Sequence, residues 1–226
     1  KRQEYKLRDT ATLLESQVVS CGPIEYRIRN RYQLTARSSL TQDIVFYADD
    51  PMIRFDTRMD WQDDHRLLKT AFPTSILSDF ARQEIQFGHV KRPTTRNTSI
   101  EKAKFEVCNH RFTDLSELRY GVSLLNDCKY GISVKDGCMA LTLHKGGCRP
   151  DAAGDKGIHD CTYALLPHIG DFSSDTVIRA AYCINDPVSV VSGRTQNQQS
   201  FVSSSESNVI IETIKPAEGE ATNCYI

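Results

Sequence analysis

The segment IEYRIRNRYQL at residues 24–34 alternates apolar and charged side chains with a period of two. Such alternation is typical of a β-strand that has one face buried and the other in water. The segment IRFDTRMDW at 53–61 repeats the pattern, and QDIVFYA at 42–48, which ends at an Asp-Asp-Pro turn, is predicted to pair with it as a hairpin. These three segments predict an antiparallel sheet with a charged outer face.

The rest of the chain continues this pattern in short apolar runs separated by turn residues. Nine further strands are predicted: RLLKTAFP (66–73), RQEIQFGHV (82–90), AKFEVCNHRF (103–112), GVSLLND (121–127), KYGISV (129–134), MALTLHK (139–145), HDCTYALLPH (159–168), VIRAAYCI (177–184) and NVIIETIKP (208–216). Helical periodicity is limited to a turn or two at 77–83 and 113–120. Twelve short strands predict an all-β fold, a large antiparallel β-sandwich.

Composition shifts once along the chain, in the Ser-, Gln- and Asn-rich stretch at 192–208. Polar stretches of this kind are typical of a linker or a long loop. We therefore predict a β domain over 1–191, a linker or loop over 192–208, and the start of a small terminal β element over 209–226. Because the chain stops on the apolar residues CYI, we expect that last element to be truncated.

Charge and cysteine content narrow the class of protein. The chain has 28 Lys and Arg residues against 29 Asp and Glu residues, a net charge of −1, which disfavours nucleic acid or an anionic membrane as a partner. No apolar run approaches the roughly 20 residues that cross a bilayer. The cysteines form no CxxC pair and mostly lie in apolar runs, so we predict free thiols in a reducing compartment.

The sequence contains none of the common catalytic motifs that we searched for. There is no HExxH, GxSxG, phosphate-binding loop or GxGxxG, and the pair Asp63–Asp64 lies in a turn-like context that predicts solvated side chains. The densest polar region is PDAAGDKGIHDCTYALLPHIGDF at 150–172, which contains Asp155 and His159. It is interpreted either as a solvated loop or as the polar rim of a sugar site, since sugars need several fixed donors and acceptors.

Five blocks in a fixed order carry a resemblance to a known family. They are WQDDHRLLKTAFP (61–73), EIQFGHVKRPTTRNTS (84–99), KFEVCNHRFTDLSELRYGVSLLNDCKYGISV (104–134), the 150–172 segment and NVIIETIKPAEG (208–219). Together they resemble the C-terminal region of glycoside hydrolase family 38 α-mannosidases, nearest the branch of vacuolar, cytosolic and many bacterial enzymes. The chain departs from the family at Ile100, where a Trp is usual, and at its end, where the family pattern continues.

The resemblance implies a retaining mechanism in which an Asp nucleophile and one zinc ion lie in an N-terminal α/β domain outside this chain. It implies that this chain is the downstream β domain, similar in fold to galactose-mutarotase-like supersandwiches, that it binds no metal, and that it contains no catalytic residue. Its partners would be the N-terminal catalytic domain of the same polypeptide and the α-mannoside substrate, in the cytoplasm; a homo-oligomer stays open. The candidates for the substrate cleft are Asp155 and His159, with Arg149 as a weaker neighbour.

Two other functions stay open from the residues. A stand-alone carbohydrate-binding module needs exposed aromatic rings, but the one tryptophan, Trp61, alternates with residues that are predicted to face the core. A complete mutarotase-like enzyme needs a histidine and a carboxylate positioned for ring opening, a role for which His110 and His159 are the candidates.

Overall fold

The computed structural model describes residues 6, 7, 9–194 and 199–218. These residues form β-strands with two short α-helices and one π-helical turn. In chain order the elements are β1 (Thr12–Cys21), β2 (Glu25–Gln33), β3 (Ser39–Tyr47), β4 (Ile53–Trp61), β5 (Leu67–Pro73), β6 (Phe80–Ile85), β7 (Gly88–Pro93), α1 (Ser99–Ala103), β8 (Val107–Cys108), β9 (Phe112–Ser116), β10 (Tyr120–Asn126), β11 (Gly131–Lys135), β12 (Cys138–Lys145), β13 (Gly157–Ile169), the π-helical turn (Ser174–Ile178) and α2 (Arg179–Asn185).

The strands form two antiparallel sheets that pack face to face. The large sheet has the order β1-β2-β3-β4-β13-β10-β9-β6-β7, and the small sheet has the order β5-β12-β11-β8. The predicted all-β antiparallel sandwich is therefore confirmed. Strand β13 lies in the middle of the large sheet, between β4 and β10. These two strands are far apart in the sequence.

The charged outer face that the alternation predicts is present, and its charges are paired. Asp43 accepts from Arg29 at 2.7 Å and from Arg27 at 3.1 Å, and Arg27 also reaches Asp56 at 3.2 Å. On the opposite face of the same strands, Met59 is fully buried. The period of two in the sequence therefore sorts these side chains as predicted, because successive residues of a strand point to opposite faces.

The fold has two cores, which lie on opposite faces of the large sheet. The main core lies between the sheets and includes Trp61, Met139 and Tyr163. The second lies on the other face of the large sheet, beneath the π-helical turn and α2. Strand β10 separates them, since Leu124 belongs to the first and Leu125 to the second.

The strand predicted at 177–184 is wrong, because this segment is helical. Its apolar residues Val177 and Ala181 are four apart, so one helical face buries both against the sheet. Short apolar runs do not distinguish a strand from a buried helix by periodicity alone. The packing surface offered by Phe112 and Leu166 of the large sheet selects the helix here.

Other boundaries also differ from the prediction. The run at 82–90 is the hairpin of β6 and β7, and the run at 103–112 is broken into the end of α1, the short β8 and the start of β9. The helical turns predicted at 77–83 and 113–120 are wrong, since these segments contain parts of strands β6 and β9 and no helix. Residues 208–216 contain no strand beyond one bridging residue, Pro216. The division into 1–191, 192–208 and 209–226 stays a prediction, and residues 219–226 lie outside the described residues.

Candidate functional site

Three loops meet at one end of the sandwich, and we call them the loop cluster: residues 34–38, 62–66 and 146–156. The backbone of Gly146 donates to the Arg66 carbonyl at 2.9 Å and accepts from the His65 amide at 2.8 Å. The amide of Gln62 donates to the Ser38 hydroxyl at 2.9 Å. These bonds join loops 34–38 and 62–66 to loop 146–156, which is 80 or more residues further along the chain, into one surface.

Asp63 organises the centre of the loop cluster. Its carboxylate is buried and accepts hydrogen bonds from the hydroxyls of Ser38 and Thr35, while its carbonyl accepts from Trp61 Nε1 at 2.8 Å. Burial raises the pKa of this carboxyl, but the two hydroxyl donors and two neighbouring arginine charges outweigh burial and hold the pKa below its usual value. The prediction of a solvated side chain is therefore wrong for Asp63.

Asp64 connects two of the loops. Lys156 Nζ lies 2.8 Å from Asp64 Oδ1, and the Cys148 thiol donates to the same oxygen at 3.5 Å. The hydrogen bond from Lys156 lowers the pKa of Asp64, so this carboxylate is charged at neutral pH. Loop 146–156 is thus joined to the loop that follows β4, a contact that no pattern in the sequence predicts.

The close approach of these loops depends on Gly146. A Cβ atom at this position would lie 2.4 Å from the Asp63 carbonyl oxygen and 2.8 Å from Trp61 Nε1. Because neither neighbour is the end of a flexible side chain, only glycine lets loop 146–156 lie against the end of β4.

Two imidazoles lie beneath loop 146–156. The His144 ring is buried, 4.9 Å from the Trp61 ring and 4.4 Å from the His159 ring, measured between ring centroids. His159 Nε2 lies 2.6 Å from the Asp155 carbonyl oxygen, to which it donates as the Nε2–H tautomer. Burial, with the nearby His159 second, lowers the pKa of His144 to about 4. His144 is therefore neutral at neutral pH.

The structure brings together two of the three predicted site residues. Asp155 and His159 are joined, but through the Asp155 carbonyl, while the Asp155 carboxylate is exposed to solvent. Arg149 is exposed in the same loop. His110 lies beside Gln86 and Tyr130, whereas His159 lies beside His144, so the histidines of the mutarotase-like hypothesis contact different residues. A role for Asp155, His159 and Arg149 in the substrate cleft stays a prediction.

His144 was not predicted, because its position depends on a β-bulge. In β12 the pairing with β5 shifts between Thr142 and His144, so Leu143 is an extra residue. The shift lets both Leu143 and His144 be buried, against the strict alternation of MALTLHK. No sequence signal marks that bulge.

The described residues offer no set of three or more His, Cys, Asp or Glu side chains placed to hold a metal ion. No helix among them is both long and apolar enough to cross a membrane.

Comparison with known proteins decides the family. Residues 1–153 match the family model "Glycosyl hydrolases family 38 C-terminal domain". The chain belongs to glycoside hydrolase family 38. Among curated family 38 relatives, human alpha-mannosidase 2C1 is 44% identical over 189 residues, which cover 82% of this chain and 18% of the human protein. The alpha-mannosidase of Saccharomyces cerevisiae is 40% identical over 214 residues, which cover 90% of this chain and 20% of the yeast protein.

A solved structure agrees with the family 38 fold. The alpha-mannosidase from Enterococcus faecalis V583 matches with a TM-score of 0.69 at 15% identity, over 77% of this chain and 24% of that protein. The chain thus spans about a fifth of the length of the curated relatives it matches. This part of the family 38 protein is the C-terminal β domain.

Proposed function

We propose that this chain is the β domain of a retaining, zinc-dependent α-mannosidase that hydrolyses terminal α-mannosides. It packs on an N-terminal catalytic domain of the same polypeptide in the cytoplasm and completes the wall of the substrate cleft. One observation carries this proposal: the relatives named above are alpha-mannosidases about five times longer than the matched region.

The loop cluster is the part of this domain that we assign to the cleft wall. Asp155 and Arg149 are exposed on its surface. The loops that carry them are held in place by the hydrogen bonds of the buried Asp63 and by the ion pair of Asp64 and Lys156. Loops fixed in this way hold polar side chains in one arrangement before the sugar binds, which is what selective binding of sugar hydroxyls requires. The zinc ion and the two carboxyl groups of a retaining mechanism lie in the catalytic domain.

A first experiment asks where the chemistry lies. We expect the purified 226-residue chain to show no turnover of an aryl α-mannoside, with or without added zinc or cobalt, because the nucleophile and metal ligands lie outside it. Metal-dependent turnover by this chain would contradict the proposal.

A second experiment tests the loop cluster in the full-length enzyme. Loss of one hydrogen bond to a sugar hydroxyl costs about 1–3 kcal/mol in the transition state, or roughly ten- to hundredfold in kcat/KM, so we expect losses of that size for His159→Ala and Asp155→Asn. The control Asp136→Asn removes an exposed carboxylate from the turn between β11 and β12 and should leave kcat/KM unchanged. Melting temperatures of the same preparations distinguish a role in substrate binding from a purely structural role. Lower melting temperatures with unchanged kinetics per folded molecule would make Asp155 and His159 purely structural.

A stand-alone carbohydrate-binding module built on Trp61 is disfavoured, because that ring is 2% exposed and cannot stack on a sugar.

The proposed cytoplasmic location is based on the state of the cysteines. The seven within the described residues are all free, and Cys224 lies outside them. Free thiols in this number are typical of a reducing compartment.

A further inference from the structure

A second concave surface lies on different elements from the loop cluster, and we call it the hairpin groove. It has a volume of about 650 Å³ and is enclosed by the β6–β7 turn, the start of β9, α2 and residues 208–212. The volume lies within the range of small-ligand sites, about 300–1,000 Å³.

Phe87 stands at the rim of the hairpin groove in an unusual conformation. It occupies the two-residue turn between β6 and β7 with φ of 61°, a left-handed value that bulky side chains rarely adopt. Its ring is fully exposed, so burial does not compensate for the backbone conformation. An exposed aromatic ring in a costly conformation suggests a contact outside the fold itself.

The floor of the groove is the ion pair of Arg111 and Glu84. Arg111 donates from Nε at 3.0 Å and from a terminal nitrogen at 2.5 Å to Glu84, which is buried. The guanidinium group of Arg111 also lies over the Tyr182 ring, with Cζ 4.0 Å from the ring centroid. The Tyr182 hydroxyl donates a hydrogen bond to Glu212. Glu84 neutralises the charge of Arg111, whereas the carboxylate of Glu212 adds negative charge to the groove.

The walls add polar groups and a second aromatic ring. Gln86 Nε2 lies 3.0 Å from His110 Nε2, and the His110 ring lies 5.2 Å from the Tyr130 ring, which is half exposed. The carboxylate of Asp127 lies in the same wall, and its buried Oδ1 has no hydrogen-bond partner among the described residues. The groove thus combines exposed aromatic faces with amide, imidazole and carboxylate groups.

We propose that the hairpin groove binds a neutral hexopyranose, the terminal unit of an α-mannoside, at a site separate from the loop cluster. A pyranose has an apolar C–H face that packs on an aromatic ring and a rim of hydroxyls that needs fixed donors and acceptors. The core of a protein interface is instead depleted of charged residues, whereas Glu84, Arg111 and Asp127 lie in this groove. An anion is disfavoured, since Arg111 is neutralised by Glu84 and Asp127 adds negative charge. The choice of mannose rests on the proposed function, but the geometry of the groove does not.

The test uses the 226-residue chain, so binding is measured without the catalytic domain and its outcome is independent of turnover. The probes are methyl α-D-mannoside and an α-linked mannobiose, titrated by ligand-observed and amide-shift NMR. We expect binding with a Kd in the millimolar range, and an affinity about tenfold or more lower in Phe87→Ala and in Tyr130→Ala. The control Phe201→Ala removes another fully exposed ring that lies outside the groove, and its affinity should match that of the unsubstituted chain.

Phe87 makes no buried contact, so its alanine variant should fold, which circular dichroism and thermal melting verify. Absence of binding at about ten times the expected Kd would overturn the proposal. Binding that both groove variants retain would overturn it too. Self-association of the chain that Phe87→Ala abolishes, without sugar binding, would instead identify the groove as a contact between copies.

Discussion

Acidification should destabilise this fold through His144. The ring is buried against Trp61 and faces His159, and its pKa is about 4, against about 6.5 for a histidine in an unfolded chain. Desolvation is the main cause, followed by the charge of His159 and of Lys129, while Asp155 acts in the opposite direction. Because the folded pKa is depressed, the unfolded state takes up a proton between pH 6.5 and 4 that the folded state does not. The stabilisation is therefore complete above pH 6.5 and is lost as pH falls toward 4.

The magnitude follows from the shift. At pH 5, a fall in the pKa of His144 from about 6.5 to about 4 lowers the free energy of unfolding by about 2 kcal/mol. Screening by solvent near the ring reduces this loss to about 1–2 kcal/mol. For a protein whose total stability is about 5–15 kcal/mol, a loss of that size is easily measured.

The assay is urea unfolding at pH 7.5 and pH 5.0, followed by the fluorescence of Trp61, the single tryptophan, which is buried beside His144. We expect the free energy of unfolding to fall between the two pH values by about 1–2 kcal/mol more in the unsubstituted chain than in His144→Phe, which keeps an aromatic ring but cannot titrate. The control His65→Asn removes an exposed imidazole at a positive φ that asparagine tolerates, and should follow the unsubstituted chain. An equal or larger fall in His144→Phe would refute the reasoning.

Three further predictions concern buried groups of β9, β10 and β13, and the thiols. Gly121→Ala should cost about 1–3 kcal/mol in urea unfolding, because a Cβ there would lie 2.4 Å from the His168 ring. Asp114→Ala should cost about 3–5 kcal/mol by the same assay, since this buried carboxylate accepts from His168 and Ser123, both at 2.8 Å, and its loss leaves buried donors unpaired; stability within 1 kcal/mol of the unsubstituted chain would contradict this. Alkylation in denaturant without reductant should label all eight cysteines, Cys224 included, and two or more blocked pairs would contradict both the free thiols and the cytoplasmic location.

The sequence predicted those features that depend on neighbouring residues. Alternation in β2 and β4 identified the strands and sorted their faces, because the period of two is a local property of an extended chain. The ordered blocks also identified the family, which the comparisons confirm. The same local reasoning gave the wrong state for 177–184, where the deciding contacts are with Phe112 and Leu166 of the large sheet.

The candidate sites were decided by the tertiary structure. Asp63 is buried rather than solvated because the loop at 34–38 supplies its hydroxyl donors. Loop 146–156 reaches the end of β4 because β13 pairs with β4, about a hundred residues earlier in the chain. His144 turns inward because of a bulge, and Phe87 and Tyr130 line one groove because β6 pairs with β9 and β8 pairs with β11. The sequence alone determined the strands that alternate regularly and the family, whereas strand order, which depends on contacts between distant segments, determined which side chains meet.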